Sequence, residues 1–275
     1  VKHLWLTAYT DIVESLRARW FLVYSMVFGG LIVILFASGV AESRVMGFTG
    51  LSRLLIIYIQ LSMAILPIFV LITTVRSVAG DREAGVFEYL LSLPISLATW
   101  FWGRVFGRFL VVFLPVFLAM LGAIAWGVIK GAQVPWELLF YYGGLLMSLA
   151  WCFLGIGMLI STLARSSDVA QGAAFVVWLT LLLFLDLILL GVMIQEQLPP
   201  ESAVAIALIN PMQVFRTATM MLFDPQLVLL GPTAYVILDH FGHAGYIAYA
   251  ILYPIGLGSA AAALGFLLFK RSDLP

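Results

Sequence analysis

Six stretches of this 275-residue chain are apolar over about twenty residues or more, and that pattern leaves few folds open. They run approximately over 20–39, 54–75, 105–129, 139–163, 169–194 and 247–269. A hydrocarbon core about 30 Å thick takes about 20 helical residues to cross, so each run is long enough to span it. Short alternating strands are not seen, which argues against a β-barrel. Helices then satisfy their backbone N–H and C=O groups internally, as lipid demands. Charged residues make up 10% of the chain and hydrophobic ones 63%, whereas a soluble domain carries about a quarter charged residues. The expectation is an all-α, polytopic membrane protein with six transmembrane helices in a single domain over 1–275.

Charge settles further points. The formal net charge is zero, which leaves no basic surplus to neutralise phosphates and argues against nucleic-acid binding. The one cysteine, Cys152, excludes an internal disulfide and a Cys-rich metal site. Asp11 and Glu14 precede the first long apolar run, a departure from the signal-peptide pattern. With both termini cytoplasmic, Lys2, Arg17, Arg19, Arg76, Arg82, Arg104, Arg108, Arg165, Lys270 and Arg271 lie at or near that face. Arg44, Arg53, Lys130 and Arg216 fall outside it. Basic residues favour cytoplasmic loops, so the chain is expected N-in and C-in.

Leu4, Trp5, Ala8, Tyr9, Ile12, Val13, Leu16 and Trp20 recur at helical spacing, while Lys2, Asp11, Glu14 and Arg17 take other faces. Residues 1–19 are therefore expected as an amphipathic interface helix, or as a cytoplasmic extension of the first span. The outer loop 195–246 carries two apolar pieces, 203–209 and 227–238, too short to span, and these are expected as re-entrant or interfacial segments.

The segment 80–104 is a polar, partly amphipathic island between two spans. Asp81 suits a helix N-cap and Glu83 the positive end of the helix dipole. Phe87, Leu90 and Leu91 form an i, i+3, i+4 apolar face. Pro94 disfavours helix before it, and Ser96 caps the helix that enters the third span. The island reads as a short surface helix with an acidic face, and its apolar stripe needs cover from the membrane interface or from a partner groove.

No residue pattern supports catalysis. A G-x-x-x-x-G-K-[ST] loop, H-E-x-x-H and G-x-S-x-G are absent from the sequence, so the chain is not expected to be an enzyme. Asp186 lies inside the fifth apolar run; an ionisable group there is a functional candidate by default, either a proton or cation site or an internal polar bond. His240-x-x-His243 with Asp239 is half a metal site or a polar turn. Met212, Met220 and Met221 suit soft metals or packing, and no residue is assigned as a metal ligand. Gly155-x-Gly157 and Gly256-x-Gly258 permit close helix approach. Pro67, Pro115 and Pro254 are expected to kink their spans.

Asp81, Arg82, Glu83, Gly85, Glu88, Leu90, Leu91, Pro94, Ser96, Gly103 and Arg104 follow in order the first cytoplasmic loop of ABC-2 transporter permeases, which the chain resembles. Val86 stands where threonine is common there and Leu97 where a basic residue is common. The terminal Phe269-Lys270-Arg271-Ser272-Asp273-Leu274 is similar to the basic stop of many such permeases. That resemblance implies a permease of the bacterial inner membrane working as a homodimer with two copies of a separate ATPase subunit. ATP and Mg would be held on that partner, and no cofactor on this chain. It also implies that Asp81–Leu91, Phe87 included, is the ATPase-coupling element, with the Arg165–Asp168 turn as a second contact. Within the family, Gly47-Phe48-Thr49-Gly50 and Asn210–Arg216 resemble permeases serving nitrous oxide reductase maturation. This implies a periplasmic subunit and assembly of a copper–sulfide centre. From the residues alone, a proton-coupled carrier using Asp186 and a membrane anchor of a respiratory complex also stand open.

Overall fold

The computed structural model describes residues 2–37, 51–92, 95–131, 134, 136–184, 200–221 and 232–271. The expectations for 47–50, Pro94, Asp186 and 272–274 lie outside these residues. Among the described residues all regular structure is helical. Helices α1 (Lys2–Arg17) and α2 (Arg19–Ala37) meet at a 72° bend. Then come α3 (Leu51–Thr74), α4 (Arg76–Glu83), α5 (Val86–Ser92), α6 (Leu97–Ile129) and α7 (Trp136–Leu163). Helix α8 (Ser167–Leu179) runs into a π-helical turn, Thr180–Phe184, and is followed by α9 (Pro200–Ile209), α10 (Pro211–Met220) and α11 (Pro232–Arg271).

Four helices among the described residues are long and apolar enough to cross a membrane: Leu54–Glu83, Leu97–Ile129, Trp136–Leu163 and Ile237–Arg271. The bent α1–α2 pair brings the number to five. The expected fifth span is described only in its first part, the shorter apolar helix Ser167–Leu183, so four or five of the six expected spans have a counterpart among the described residues. Several helices also exceed their apolar runs. Helix α6 starts at Leu97, eight residues before the run at 105, and at 1.5 Å per residue its 33 residues reach well past a 30 Å core.

The prolines lie inside helices as expected, at Pro67, Pro115 and Pro254. Proline weakens the ladder around it, and in lipid no water repairs the loss. Neighbouring side chains bond carbonyls close to two of these prolines. Tyr24 Oη donates to the Val112 carbonyl at 2.6 Å and Tyr58 Oη to that of Val116 at 2.8 Å, on either side of Pro115. Trp178 Nε1 donates to the Ala64 carbonyl, one turn before Pro67, at 3.1 Å.

Helix α7 is the central span, with 67% of its apolar window buried against 22% for α11. Glycine brings these two helices together backbone to backbone. A Cβ on Gly155 would stand 1.9 Å from the Gly258 carbonyl oxygen, and one on Gly258 2.6 Å from that of Trp151. Gly157 instead faces Thr74 of α3, and Gly256 has nothing within 4 Å of where its Cβ would be. The two glycine pairs thus serve three different environments.

The short helices α9 and α10 are held by their ends. Asn210 caps α10, its Oδ1 accepting from Met212 N at 2.9 Å, while its Nδ2 donates to the Leu181 carbonyl in the π turn at 2.7 Å. Carbonyls in the last turn of α9 accept from Tyr249 and Tyr253 of α11, and Ala218 of α10 from Tyr141 of α7. These are orphan groups that every helix end leaves. Helix α11 breaks at Gly242 (φ 63°, ψ 178°), which places His240 and His243 on opposite sides of the break, so no single helical face aligns them. Met212 and Met221 are buried, in keeping with packing.

Candidate coupling site

The island differs from its sequence reading in where its helices begin. The second span continues through Thr74 almost without a break, so Asp81 and Glu83 end a helix instead of starting one. The N-cap position of α4 is Val75, with no side-chain cap of its own. The cap arrives from α7. Ser161 Oγ accepts from Val78 N at 2.9 Å and Ala79 N at 3.1 Å, and donates to the Val75 carbonyl at 2.6 Å. A hydroxyl has one proton and two lone pairs, so Ser161 is fully used in joining the ladder of α3 to that of α4. The expected N-cap role of Asp81 is therefore corrected: a residue 86 positions away in sequence from Val75 supplies the cap.

The last turn of α4 is then clamped to the α7–α8 turn. Arg82 Nη1 donates to the Ala164 carbonyl at 3.0 Å and Nη2 to that of Thr162 at 3.5 Å, both at the C-terminal end of α7, where a cation is favoured. Glu83 ends its own helix at the unfavourable pole of the dipole but reaches the first residue of α8. Hydrogen bonds from the Ser167 hydroxyl and backbone hold its exposed carboxylate below the usual range. Ser166 caps the same helix through Val169 N at 3.3 Å. With its amide oriented to meet its donors, Gln171 Oε1 accepts from Arg76 Nε at 2.7 Å and Nη2 at 2.6 Å. The last turn of α4 and the α7–α8 turn, parts of the two segments expected to contact an ATPase, are thus in direct contact.

Between α4 and α5 the chain turns at Gly85, φ 67°, a left-handed conformation that favours glycine. The island is accordingly two short helices and not one. Phe87 is 4% exposed and sits inward, 5.4 Å from the Trp100 ring and 5.3 Å from Phe269 at the end of α11. Its expected cover, interface or partner groove, is in fact the protein itself. Leu90 and Leu91 lie on α5. Among the described side chains of 81–91 and 165–168, those exposed are Glu83, Ala84, Glu88, Tyr89, Arg165 and Asp168.

Sequence reasoning missed the ion network behind this surface. Asp11, expected on a polar face of the first helix, is 3% exposed. Its Oδ1 accepts from Arg108 Nη2 at 2.8 Å and Arg104 Nε at 3.3 Å. Arg104 also pairs through Nη1 with Asp81 and donates to the Ser77 carbonyl at 3.1 Å. Arg108 Nη1 donates to the Thr73 carbonyl at 2.7 Å. One chain of charge therefore links α1, α6, α3 and α4. Close packing makes it possible: Cβ atoms on Gly103 and Gly107 would meet Thr7 Cβ at 2.8 Å and the Ala8 carbonyl oxygen at 2.7 Å. The available signal was Arg104 and Arg108 at i, i+4 beside Gly103 and Gly107 at the same spacing. In the sequence those arginines served only as markers of orientation and of the motif.

A model of the ABC-2 family transporter proteins matches residues 5–274. The chain belongs to the ABC-2 family of transporter permeases. It is similar to two curated relatives, each described as "Probable ABC transporter permease protein NosY". The relative from Stutzerimonas stutzeri is 25% identical over 232 residues, covering 82% of this chain and 83% of that protein. The one from Pseudomonas aeruginosa is 26% identical over 230 residues, covering 80% and 82%. As an ABC-2 permease the chain is the membrane subunit, without an ATPase domain, and its family implies a separate ATPase partner that holds the ATP.

For an ABC-2 permease the geometry separates two kinds of residue. Glu83, Glu88, Arg165 and Asp168 are exposed and free to meet another protein. Arg82, Phe87, Asp81, Arg104 and Asp11 hold that surface from behind. Among the described residues no group of three or more His, Cys, Asp or Glu side chains is placed to hold a metal ion.

Proposed function

We propose that the chain couples a separate ATPase to movement of its own transmembrane helices, through the surface built from Glu83, Gly85, Glu88 and the Arg165–Asp168 turn. Two copies of the chain and two ATPase subunits make the working unit, in the bacterial inner membrane with both termini cytoplasmic. The observation that carries this reading is the clamp of Arg82 onto the carbonyls at the end of α7, because it ties together two segments far apart in sequence. Three exposed carboxylates against one arginine give that surface an acidic character, suited to a basic groove. When the ATPase subunits close on ATP, force on α4 passes into α3, which it continues. Through Asp81–Arg104 and Asp11 it also reaches α6 and α1. Such rigid-body shifts of packed helices are the usual currency of switching.

The likeness to permeases named NosY, together with the resemblance carried by Asn210–Arg216, supports a finer reading. The driven process is export, or force transmission to a periplasmic subunit, in copper–sulfur centre assembly for nitrous oxide reductase. Affinity purification of the tagged chain from its native membrane in mild detergent tests the proposal. An ATP-hydrolysing subunit is expected in the eluate. Recovery of the chain alone, with proton flux in liposomes that Asp186→Asn abolishes, would instead make it a carrier.

A further inference from the structure

Where α1 turns into α2 the protein encloses a cavity of about 160 Å³ that the coupling mechanism does not use. Its walls are mostly apolar, from Trp20, Phe21, Tyr24 and Val111, and its polar edge is formed by Arg76 and Arg108. The polar edge is unusual in its charge. Among the described residues Arg76 has no carboxylate within salt-bridge distance; its partner is the neutral amide of Gln171, which also lines the cavity. Arg108 is partly neutralised by Asp11, yet its Nε is buried without a hydrogen-bond partner. Arg76, whose partner at the edge of an apolar space is a neutral amide, keeps its positive charge uncompensated there, which favours an anionic group from outside the chain.

Position narrows what that acceptor is. The cavity lies at the junction between a helix with exposed Trp5 and Tyr9 and an apolar helix bent 72° from it, the arrangement of an interface helix entering a span. Trp20, which lines the cavity, is itself 51% exposed, so the space opens toward the lipid-facing surface. An anion with an apolar tail matches both halves; a free inorganic anion would leave the aromatic wall unused. We propose that this cavity binds an anionic phospholipid, its phosphate on Arg76 and Arg108 and the upper part of an acyl chain against Trp20, Phe21 and Val111. Basic pockets between transmembrane helices on the cytoplasmic side are suited to such headgroups. A lipid seated there braces the α1–α2 bend against α3 and α6.

The test uses the full chain in neutral detergent, titrated separately with phosphatidylglycerol, phosphatidylcholine and inorganic phosphate. Native mass spectrometry reads the bound lipid and the thermal midpoint reads stabilisation. Phosphatidylglycerol is expected to fill one saturable site at least about fivefold more tightly than phosphatidylcholine, as for one basic residue near anionic lipid. Arg76→Ala should remove about that factor while Arg76→Lys keeps it, and Val111→Phe, which fills the cavity, should weaken both lipids. Inorganic phosphate alone should neither stabilise the protein nor displace the lipid. Equal binding of the two lipids by the wild type, or an undiminished preference in Arg76→Ala, overturns the proposal. So does displacement by phosphate, which assigns the site to a free anion. Should Val111→Phe fail to fold, the contrast between the two Arg76 variants decides alone.

Discussion

Replacing Asp11 by Asn removes one charge from the centre of the network while keeping the side-chain shape. Oδ1 of Asp11 accepts two hydrogen bonds from guanidinium groups. With Asn the charged guanidinium donors keep both bonds, and what is lost is the attraction between opposite charges, on the order of 1 kcal/mol at each. The arginines fare differently. Arg104 keeps Asp81, but among the described residues Arg108 has Asp11 as its one salt-bridge partner. Full removal of one member of a buried pair costs about 3–5 kcal/mol, and Asn, which retains an acceptor, falls short of that. The expected loss is about 2–4 kcal/mol. At about 2–4 °C per kcal/mol for large domains, thermal unfolding in detergent should shift down by on the order of 10 °C. Glu14→Gln is the control, an exposed carboxylate one turn away on the same helix, expected within about 0.5 kcal/mol of wild type. Adding Arg108→Gln to Asp11→Asn should cost less than the two changes summed, because the residues are in contact. If Asp11→Asn melts with the wild type and with Glu14→Gln, the buried network does not hold α1 to α6 and the reasoning fails.

Ser161→Ala removes a hydroxyl that serves three backbone groups at the α3–α4 junction; at about 1–3 kcal/mol per buried group left unsatisfied, a loss of at least about 2 kcal/mol is expected in the thermal midpoint, together with weaker capture of an ATPase subunit. Gly155→Ala places a Cβ against the Gly258 carbonyl and should destabilise by about 1–3 kcal/mol or more. Gly256→Ala, with open space at its Cβ, should be neutral or gain slightly from helix propensity; similar midpoints for these two glycine variants would show that α7 and α11 do not pack as described.

Much of the fold is written in the apolar runs because length and hydropathy decide which segments can live in lipid. The Ser96 cap was legible for a related reason: capping is local, and its Oγ accepts from Thr99 N three residues on. Periodicity failed where the answer depended on a distant partner. It set Asp11 apart from the apolar stripe of α1 but had no means of showing that Arg104 and Arg108, 93 and 97 residues on, would bury it. The same holds for α4, whose cap sits on α7, and for Phe87, whose apolar stripe marked a surface needing cover without saying that Trp100 and Phe269 provide it. Glycine spacing named the devices yet not their uses, since Gly155 and Gly256 look alike in sequence and meet a backbone and open space respectively. The clamp of Arg82 and Glu83 was prefigured only by the family resemblance, which placed both segments at one partner without saying that they touch each other.

The central claim is that the exposed acidic platform around Gly85 receives the ATPase. Glu83→Lys with Glu88→Lys reverses two of its three carboxylates while leaving Arg82, Phe87 and every apolar run intact, so insertion and helix content should persist. Like charges set against each other at an interface cost several kcal/mol, a loss of a hundredfold or more in affinity at about 1.4 kcal/mol per tenfold. Capture of the ATPase subunit by the purified variant, and the hydrolysis rate it stimulates, are the quantities to measure against wild type. The account predicts that both are lost while the variant melts within a few degrees of the parent. Normal capture with normal stimulated hydrolysis would contradict it, and the platform would then be an ordinary solvated turn.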